Sequence, residues 1–379
     1  MDKALIITSV ASMVDQFLLP SILLLQDMGY EVHIACNFEK GNTCSMERVE
    51  ELKKKLNENK ILFYQVDFER NVLQLSKNKR AFGQISNIIS ANGFKLIHCH
   101  SPIGGLLGRL AAIKSRKTGT KVFYTAHGFH FYKGAPLKNW LMYYPVERFC
   151  SHFTDVLITI NQEDYELAVR KMKAKKIEYV PGVGIDLSRF EGIHVNRSEK
   201  RREIGVPEDA FVMLSVGELN ENKNHQIIIK ALAQLNNKNI HYVIAGVGDK
   251  RDYLLDLAKE LGVSEQLHLL GYRKDVPELN LSADLFCFPS IREGLSVSVM
   301  EAMACGLACV VSKIRGNTDL IDPCGGAYFD PGSFEEAAAA ISLVLNEGSA
   351  EMSAYNRQKI SDFSLQSVIA LMERIYEKG

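Results

Sequence analysis

The chain has 379 residues, 46% apolar and 24% charged, with 45 Lys+Arg balanced by 45 Asp+Glu. This composition excludes an intrinsically disordered protein, and the length exceeds what one ordinary hydrophobic core organises. No run approaches the ~20 apolar residues of a membrane-spanning helix.

The neutral total conceals a division. Residues 1–180 carry 25 Lys+Arg and 17 Asp+Glu, a net charge of +8, and the remainder carries −8. A basic first half suits an anionic membrane surface or an anionic acceptor. Equally, Lys53–Lys55 and Arg170–Lys176 read as solvated helix faces. The eight cysteines include no C-x-x-C pair, and several lie in apolar runs. They read as reduced, buried thiols of a cytoplasmic protein.

In chain order, the start Met1–Thr8 reads as a first strand rather than a signal peptide. Strands are predicted at Ala4–Thr8, Glu31–Cys36, Ile61–Val66, Leu96–His100, Val122–Thr125 and Val156–Ile160. Helix-compatible segments such as Phe17–Met28 and Met46–Leu56 lie between them. Val180–Gly184 breaks the pattern as a hinge. A second series follows at Phe211–Val216, His241–Ala245, Leu267–Leu270, Leu285–Pro289, Ala308–Val311 and Ala327–Phe329, with helices at His225–Leu235 and Asp252–Leu261. Leu365–Glu377 is an amphipathic terminal helix. Strands alternating with helices predict parallel sheets covered on both faces, hence two doubly wound domains with ligands at the strand C-termini.

Several of those strand ends carry chemistry. His98 and His100 form an H-x-H, but no further ligand follows at a recognised metal spacing. His127 closes the strand Val122–Thr125 and is either a site residue or a structural one. The aromatics in Phe129–Tyr132 and Trp140–Tyr144 suit sugar stacking, a membrane interface or core packing. Gly217 and Lys223 stand in the loop after Phe211–Val216. Gly246 and Gly248 form a G-x-G that is either a packing turn or a ligand contact. Arg251 in the last glycine position excludes a dinucleotide fingerprint.

Glu293 and Glu301, with seven residues between them, bracket a strand-to-helix switch. On one continuous helix their side chains would point about 80° apart. With Glu293 in the loop and Glu301 in the second helical turn, both reach the helix entrance. Ser296 is the candidate N-cap, and Gly294 and Leu295 present backbone amides to an anion there.

These segments resemble the family-4 retaining glycosyltransferases of GT-B fold, and within them the bacterial capsule and exopolysaccharide members. The likeness runs along most of the chain and is most specific in its C-terminal half. It implies an α/β fold of two Rossmann-like domains facing across a cleft. Residues 1–182, with a terminal helix at about 363–379 packing back, would bind the acceptor, and residues 183–362 the nucleotide sugar.

By the same resemblance, His127, Lys223 and Glu293 form the catalytic set. Lys223 meets the diphosphate, Glu293 holds donor-sugar hydroxyls, and His127 positions the reacting centre. Glu301 accepts from the ribose hydroxyls. Tyr272 and backbone groups near Arg273 bracket the uracil, while Gly217, Gly246, Gly294, Leu295 and Ser296 complete the donor contacts. His100 is an acceptor contact or a backbone cap, and Arg109 is expected near acceptor phosphate. Glu218 stands where the family usually has arginine. It is expected to point away from the diphosphate or pair with a lysine, leaving Arg292 as a substitute cation. Ser9–Met13 lacks the double glycine that relatives often carry after the first strand.

The implied function is transfer of a hexose or N-acetylhexosamine from a UDP-sugar, with retention, to an undecaprenyl-linked or other saccharide acceptor. Capsule or exopolysaccharide assembly at the cytoplasmic face of the membrane is the implied setting. No cofactor, metal or nucleic-acid partner is expected, and peripheral contact with the inner membrane is. The alternatives are a UDP-N-acetylhexosamine 2-epimerase of the same architecture and a degenerate nucleotide-sugar-binding regulator.

Overall fold

A computed structural model describes residues 1–69 and 75–379. The chain divides into two compact units, Met1–Val183 with Val368–Gly379, and Gly184–Ser367. The terminal helix Leu365–Lys378 therefore begins in the second unit and ends in the first. Its start is held by the Leu365 N–H, which donates to the Ile185 carbonyl at 2.8 Å.

The first unit contains β1 (Lys3–Val10), β2 (Glu31–Asn37), β3 (Leu62–Gln65), β4 (Leu96–His100), β5 (Lys121–Ala126), β6 (Val156–Thr159) and β7 (Lys176–Tyr179), in the order β3-β2-β1-β4-β5-β6-β7. The second contains β8 (Phe211–Val216), β9 (Ile240–Ala245), β10 (Leu267–Gly271), β11 (Leu285–Phe288), β12 (Ala308–Ser312) and β13 (Gly326–Phe329), in the order β10-β9-β8-β11-β12-β13. The named strands pair with one another in parallel throughout. Central strands such as β4, β9 and β12 are buried along their whole length. Helices covering both faces of a sheet require that. In each unit the order reverses beside the first strand, between β1 and β4 and between β8 and β11. Loops leaving those strands open a crevice at their carboxyl ends.

Two stretches depart from expectation. Strand β7 was not anticipated, because Arg170–Lys176 reads as basic helix surface. The helix Gln162–Lys171 stops short, and the run ends in an edge strand paired, among the described residues, with β6 alone. An edge strand needs no continuous apolar run. After β1, Ala11–Met13 is already helical and continues through a π-turn, Val14–Leu18, into the helix Leu19–Asp27. No loop intervenes for a double glycine to serve.

Candidate active site

In the second unit, the loops leaving β8 and β11 are knitted together. The Ile291 N–H donates to the Asn222 carbonyl at 2.8 Å, and Asn222 Nδ2 donates to the Arg292 carbonyl at 3.1 Å. This brings Lys223 to Glu293, where Nζ donates to Oε1 at 2.8 Å with both side chains about one-fifth exposed. The ammonium also lies 4.7 Å from the centre of the Phe288 ring. Its stem runs past Gly217, where a Cβ would meet Lys223 Cε at 3.3 Å.

Glu293 lies in the loop and Glu301 in the second turn of the helix Val297–Ala304. Ser296 caps that helix, its Oγ accepting from the Val299 N–H at 3.4 Å. Burial raises the Glu301 carboxyl above its ordinary range, partly offset by Arg189. No hydrogen bond from a described residue reaches that carboxylate. A half-buried acceptor of this kind gains most when hydroxyl donors arrive. The Gly294 carbonyl supports Gly316, where φ is +78° and a Cβ would lie 2.2 Å away.

The remaining donor-side candidates separate. Gly246 packs against Gly217, whose carbonyl oxygen would stand 1.8 Å from an added Cβ. Backbone packing therefore accounts for this glycine. Arg273 Nε donates to Asp275 Oδ1 at 2.7 Å and Nη2 to Glu203 at 2.5 Å, so its side chain is engaged by carboxylates. Tyr272 is exposed. Glu218 is exposed too and accepts from Asn220 Nδ2 at 2.8 Å rather than from a lysine. Arg292 is exposed on the loop beside Glu293.

In the first unit, parallel registry sets His100 beside Thr125 and His98 beside Phe123. His98 has both nitrogens engaged, Nδ1 at 2.8 Å from the Tyr376 hydroxyl and Nε2 at 2.8 Å from Thr125 Oγ1. The H-x-H therefore leaves no His98 nitrogen for a metal. Among the described residues, no group of three His, Cys, Asp or Glu side chains gathers as a metal site. His100 is buried, and its Nδ1 lies 3.1 Å from His127 Nε2. The turn after His127 is pinned by the Phe129 N–H, which donates to Asp164 Oδ2 at 2.9 Å.

Burial depresses all three imidazoles, His98 to about 3, His127 to about 4 and His100 well below the usual value, with their mutual repulsion adding to it at His98 and His100. They are neutral at pH 7, so His127 serves as a hydrogen-bonding group and not as an imidazolium. Between about pH 4 and pH 6.5 the native state binds fewer protons than the unfolded chain. Acidification through that window removes up to roughly 1.4 kcal/mol of stability per pH unit for each such histidine. Melting curves between pH 7 and pH 5 should fall steeply, and His98→Asn should flatten them. A melting temperature level across that range contradicts the neutral cluster.

Arg109, expected near acceptor phosphate, is instead 0% exposed. Its Nη2 donates to Glu147 Oε2 at 2.8 Å and its Nε to the Gly105 carbonyl at 2.7 Å, and the guanidinium sits 3.9 Å from the centre of the Tyr124 ring. Gly105 permits this packing, since a Cβ there would strike Tyr124 at 2.3 Å. Arg109 is thus a structural cation with no acceptor role.

A cavity of about 620 Å³ opens at the ends of β1 and β4, lined by Ser9, Ser12, Gln16, Ser101, His130 and Tyr143 among others. Its size is that of an ordinary ligand site. Ser101 was missed by sequence reasoning. It holds φ +61° and ψ 156°, and its Oγ accepts from the N–H groups of Ser9 at 3.2 Å and Gly104 at 3.3 Å. Such backbone costs about 1–3 kcal/mol and concentrates at functional sites. A serine carries no sign of it in sequence. Of the aromatics nearby, Phe129 and Phe131 are core, whereas Tyr143 stacks on His130 at the cavity wall.

Two Rossmann-like units with polar clusters at their switch points define the class, a GT-B glycosyltransferase. Residues 196–360 match the family described as "Glycosyl transferases group 1", and residues 23–189 match "Glycosyltransferase Family 4". The Bacillus subtilis (strain 168) protein EpsD is 37% identical over 309 residues, 80% of this chain and 77% of that one. The Escherichia coli UDP-Gal:alpha-D-GlcNAc-diphosphoundecaprenol alpha-1,3-galactosyltransferase is 30% identical over 261 residues, 66% of each chain. Anabaena HepE, solved with UDP and glucose, superposes over the full length of both chains with a TM-score of 0.77 at 18% identity. The chain belongs to glycosyltransferase family 4. No helix among its described residues is long and apolar enough to cross a membrane.

Proposed function

We propose that this glycosyltransferase moves a hexose or N-acetylhexosamine from a UDP-sugar, with retention of configuration, to an undecaprenyl-linked saccharide in capsule or exopolysaccharide assembly. The observation that carries the reading is the Lys223–Glu293 pair at the β8/β11 switch point, beside a capped helix bearing the unpaired Glu301 carboxylate. A sugar diphosphate supplies what those groups lack, phosphate oxygens for the lysine and hydroxyl donors for the two carboxylates. The named donor and acceptor of the Escherichia coli relative support the same substrate classes.

On this reading the second unit holds the donor, and Lys223 neutralises charge that develops on the departing UDP. Glu293, released from Lys223, accepts from sugar hydroxyls, and Glu301 accepts from the ribose. The cavity lined by Ser101 and Tyr143 takes the acceptor, and neutral His127, in the same unit, contributes a hydrogen bond to a sugar hydroxyl. No protein nucleophile is evident, so the leaving diphosphate is the base for the acceptor hydroxyl, and positioning supplies most of the rate. No resident metal or cofactor is invoked.

UDP release measured with a panel of UDP-sugars, with and without a diphosphoundecaprenyl-saccharide, tests the proposal. Acceptor-dependent release with the product anomer unchanged is expected. Interconversion of free UDP-N-acetylhexosamines would replace it with the epimerase reading. Loss of charged hydrogen bonds worth about 1.5–3 kcal/mol should weaken UDP binding roughly tenfold to hundredfold in Glu301→Ala. The UDP-induced melting shift should shrink accordingly, and an unchanged shift removes Glu301 from the ribose.

A further inference from the structure

The helix Leu137–Ser151 has an inner side that builds the first unit and an outer side that nothing in that unit covers. Tyr143 lines the cavity, Trp140 and Tyr144 pack on Phe131, and Glu147 takes Arg109. The outer side carries Leu137, Leu141, Met142, Pro145, Val146 and Phe149, all exposed. Leu137 is 72%, Leu141 69% and Phe149 56% exposed. At ~100° per residue these six fall on one half of the helix. A contiguous apolar face of this extent on a soluble surface marks a contact.

The charged residues on that half are Lys138 and Arg148, both basic. Lys133 stands exposed just before the helix. At its other end, the Lys173 N–H donates to Ser151 Oγ at 2.8 Å and Arg148 Nη1 donates to the Lys171 carbonyl. These bonds fasten the basic segment Arg170–Lys175 alongside. On the neighbouring helix Gln162–Lys171, Glu166 pairs with Arg170 at 3.7 Å and Glu163 accepts from the Lys133 N–H at 2.8 Å. The sequence from Asn71 to Val146 contains eleven Lys or Arg and no Asp or Glu.

We propose that this outer face docks on an anionic phospholipid surface, with Leu137, Leu141 and Phe149 entering the headgroup–acyl boundary and the flanking cations meeting lipid phosphates. The inference rests on the reading that the acceptor is lipid-linked, and it names the surface that would bring the chain to that lipid. Apolar residues rimmed by lysine and arginine are the composition of an interfacial helix. A second copy of the chain fits less well, because a two-fold contact through this face brings the cations Lys138 and Arg148 of one copy against the same basic face of the other. The helix also joins the two tasks. Tyr143 on its inner side lines the cavity assigned to the acceptor saccharide, and the lipid-facing residues lie on its outer side.

The test is sedimentation of the full chain with vesicles of equal parts phosphatidylglycerol and phosphatidylcholine, and with phosphatidylcholine alone. Binding to the anionic vesicles, weakening as salt rises, is expected. The pair Leu141→Glu and Phe149→Glu should lower it on the order of a hundredfold, since both side chains lose apolar transfer. Lys133→Gln with Lys138→Gln should lower it roughly tenfold or more and flatten the salt dependence. Binding unchanged by the glutamate pair, or equal on neutral vesicles, overturns the proposal. So does a dimer in solution that the glutamate pair dissociates. Transfer to a water-soluble diphospho-saccharide separates the two readings, because the glutamate pair should keep the parent rate on it. Transfer without vesicle binding sinks the docking face alone, and vesicle binding without transfer to any acceptor sinks the functional reading alone.

Discussion

Lys223→Ala is expected to slow sugar transfer by roughly 10²–10³-fold while leaving the melting temperature nearly unchanged. The two effects separate because the ion pair with Glu293 is partly exposed, at 21% and 17%, and such pairs contribute only about 0–1 kcal/mol to folding. Under the proposed function, the ammonium acts when the sugar–phosphate bond breaks and negative charge grows on the diphosphate. A fixed cation there, held by the Gly217 turn and the Phe288 ring, needs no reorganisation at that moment. The loss should therefore fall mainly on kcat, with a smaller change in KM for the donor. Steady-state rates with saturating UDP-sugar decide it. A variant within threefold of the parent kcat would leave Lys223 as only the partner of Glu293.

Arg109→Met should destabilise the first unit by about 3–5 kcal/mol, the largest loss of stability expected from one substitution here. The guanidinium is fully buried between Glu147, the Gly105 carbonyl and the Tyr124 ring. Methionine fills much of the volume but strands the Glu147 carboxylate, which among the described residues then keeps the Tyr124 hydroxyl as its donor, at 3.3 Å. Breaking one side of a buried pair is far more damaging than replacing both. Adding Glu147→Leu to Arg109→Met should accordingly recover most of the loss. Urea denaturation of the single and double variants measures this, and a single-variant loss below about 1 kcal/mol would contradict the buried-pair account.

Composition and periodicity alone carried the two-sheet organisation, because parallel strands buried on both faces must be apolar runs separated by helices. β4 and β8 begin and end at the residues expected, Leu96–His100 and Phe211–Val216. The N-cap at Ser296 and the placement of Glu293 before the helix with Glu301 in it were legible for a similar reason. They are local geometry, written in consecutive residues. β7 was not legible, since an edge strand that starts at Lys176 and contains Glu178 looks like solvated surface until β6 pairs with it.

The partners of individual side chains were decided only by the tertiary structure. Arg109 carries the same charge whether it meets a phosphate or Glu147, 38 residues away, and only the packing of its helix on β5 selects the carboxylate. His98 is satisfied by Tyr376, 278 residues distant, which turns a metal-like H-x-H into part of a neutral core. Lys223 and Glu293 meet because parallel order places β8 beside β11, a neighbourhood that sequence separation hides. By itself, then, the sequence determined the strands, helices and caps, whose patterns repeat over a few residues. The fold decided what each charge touches, because Coulomb and hydrogen-bond energies depend on distances across the sheet and not along the chain.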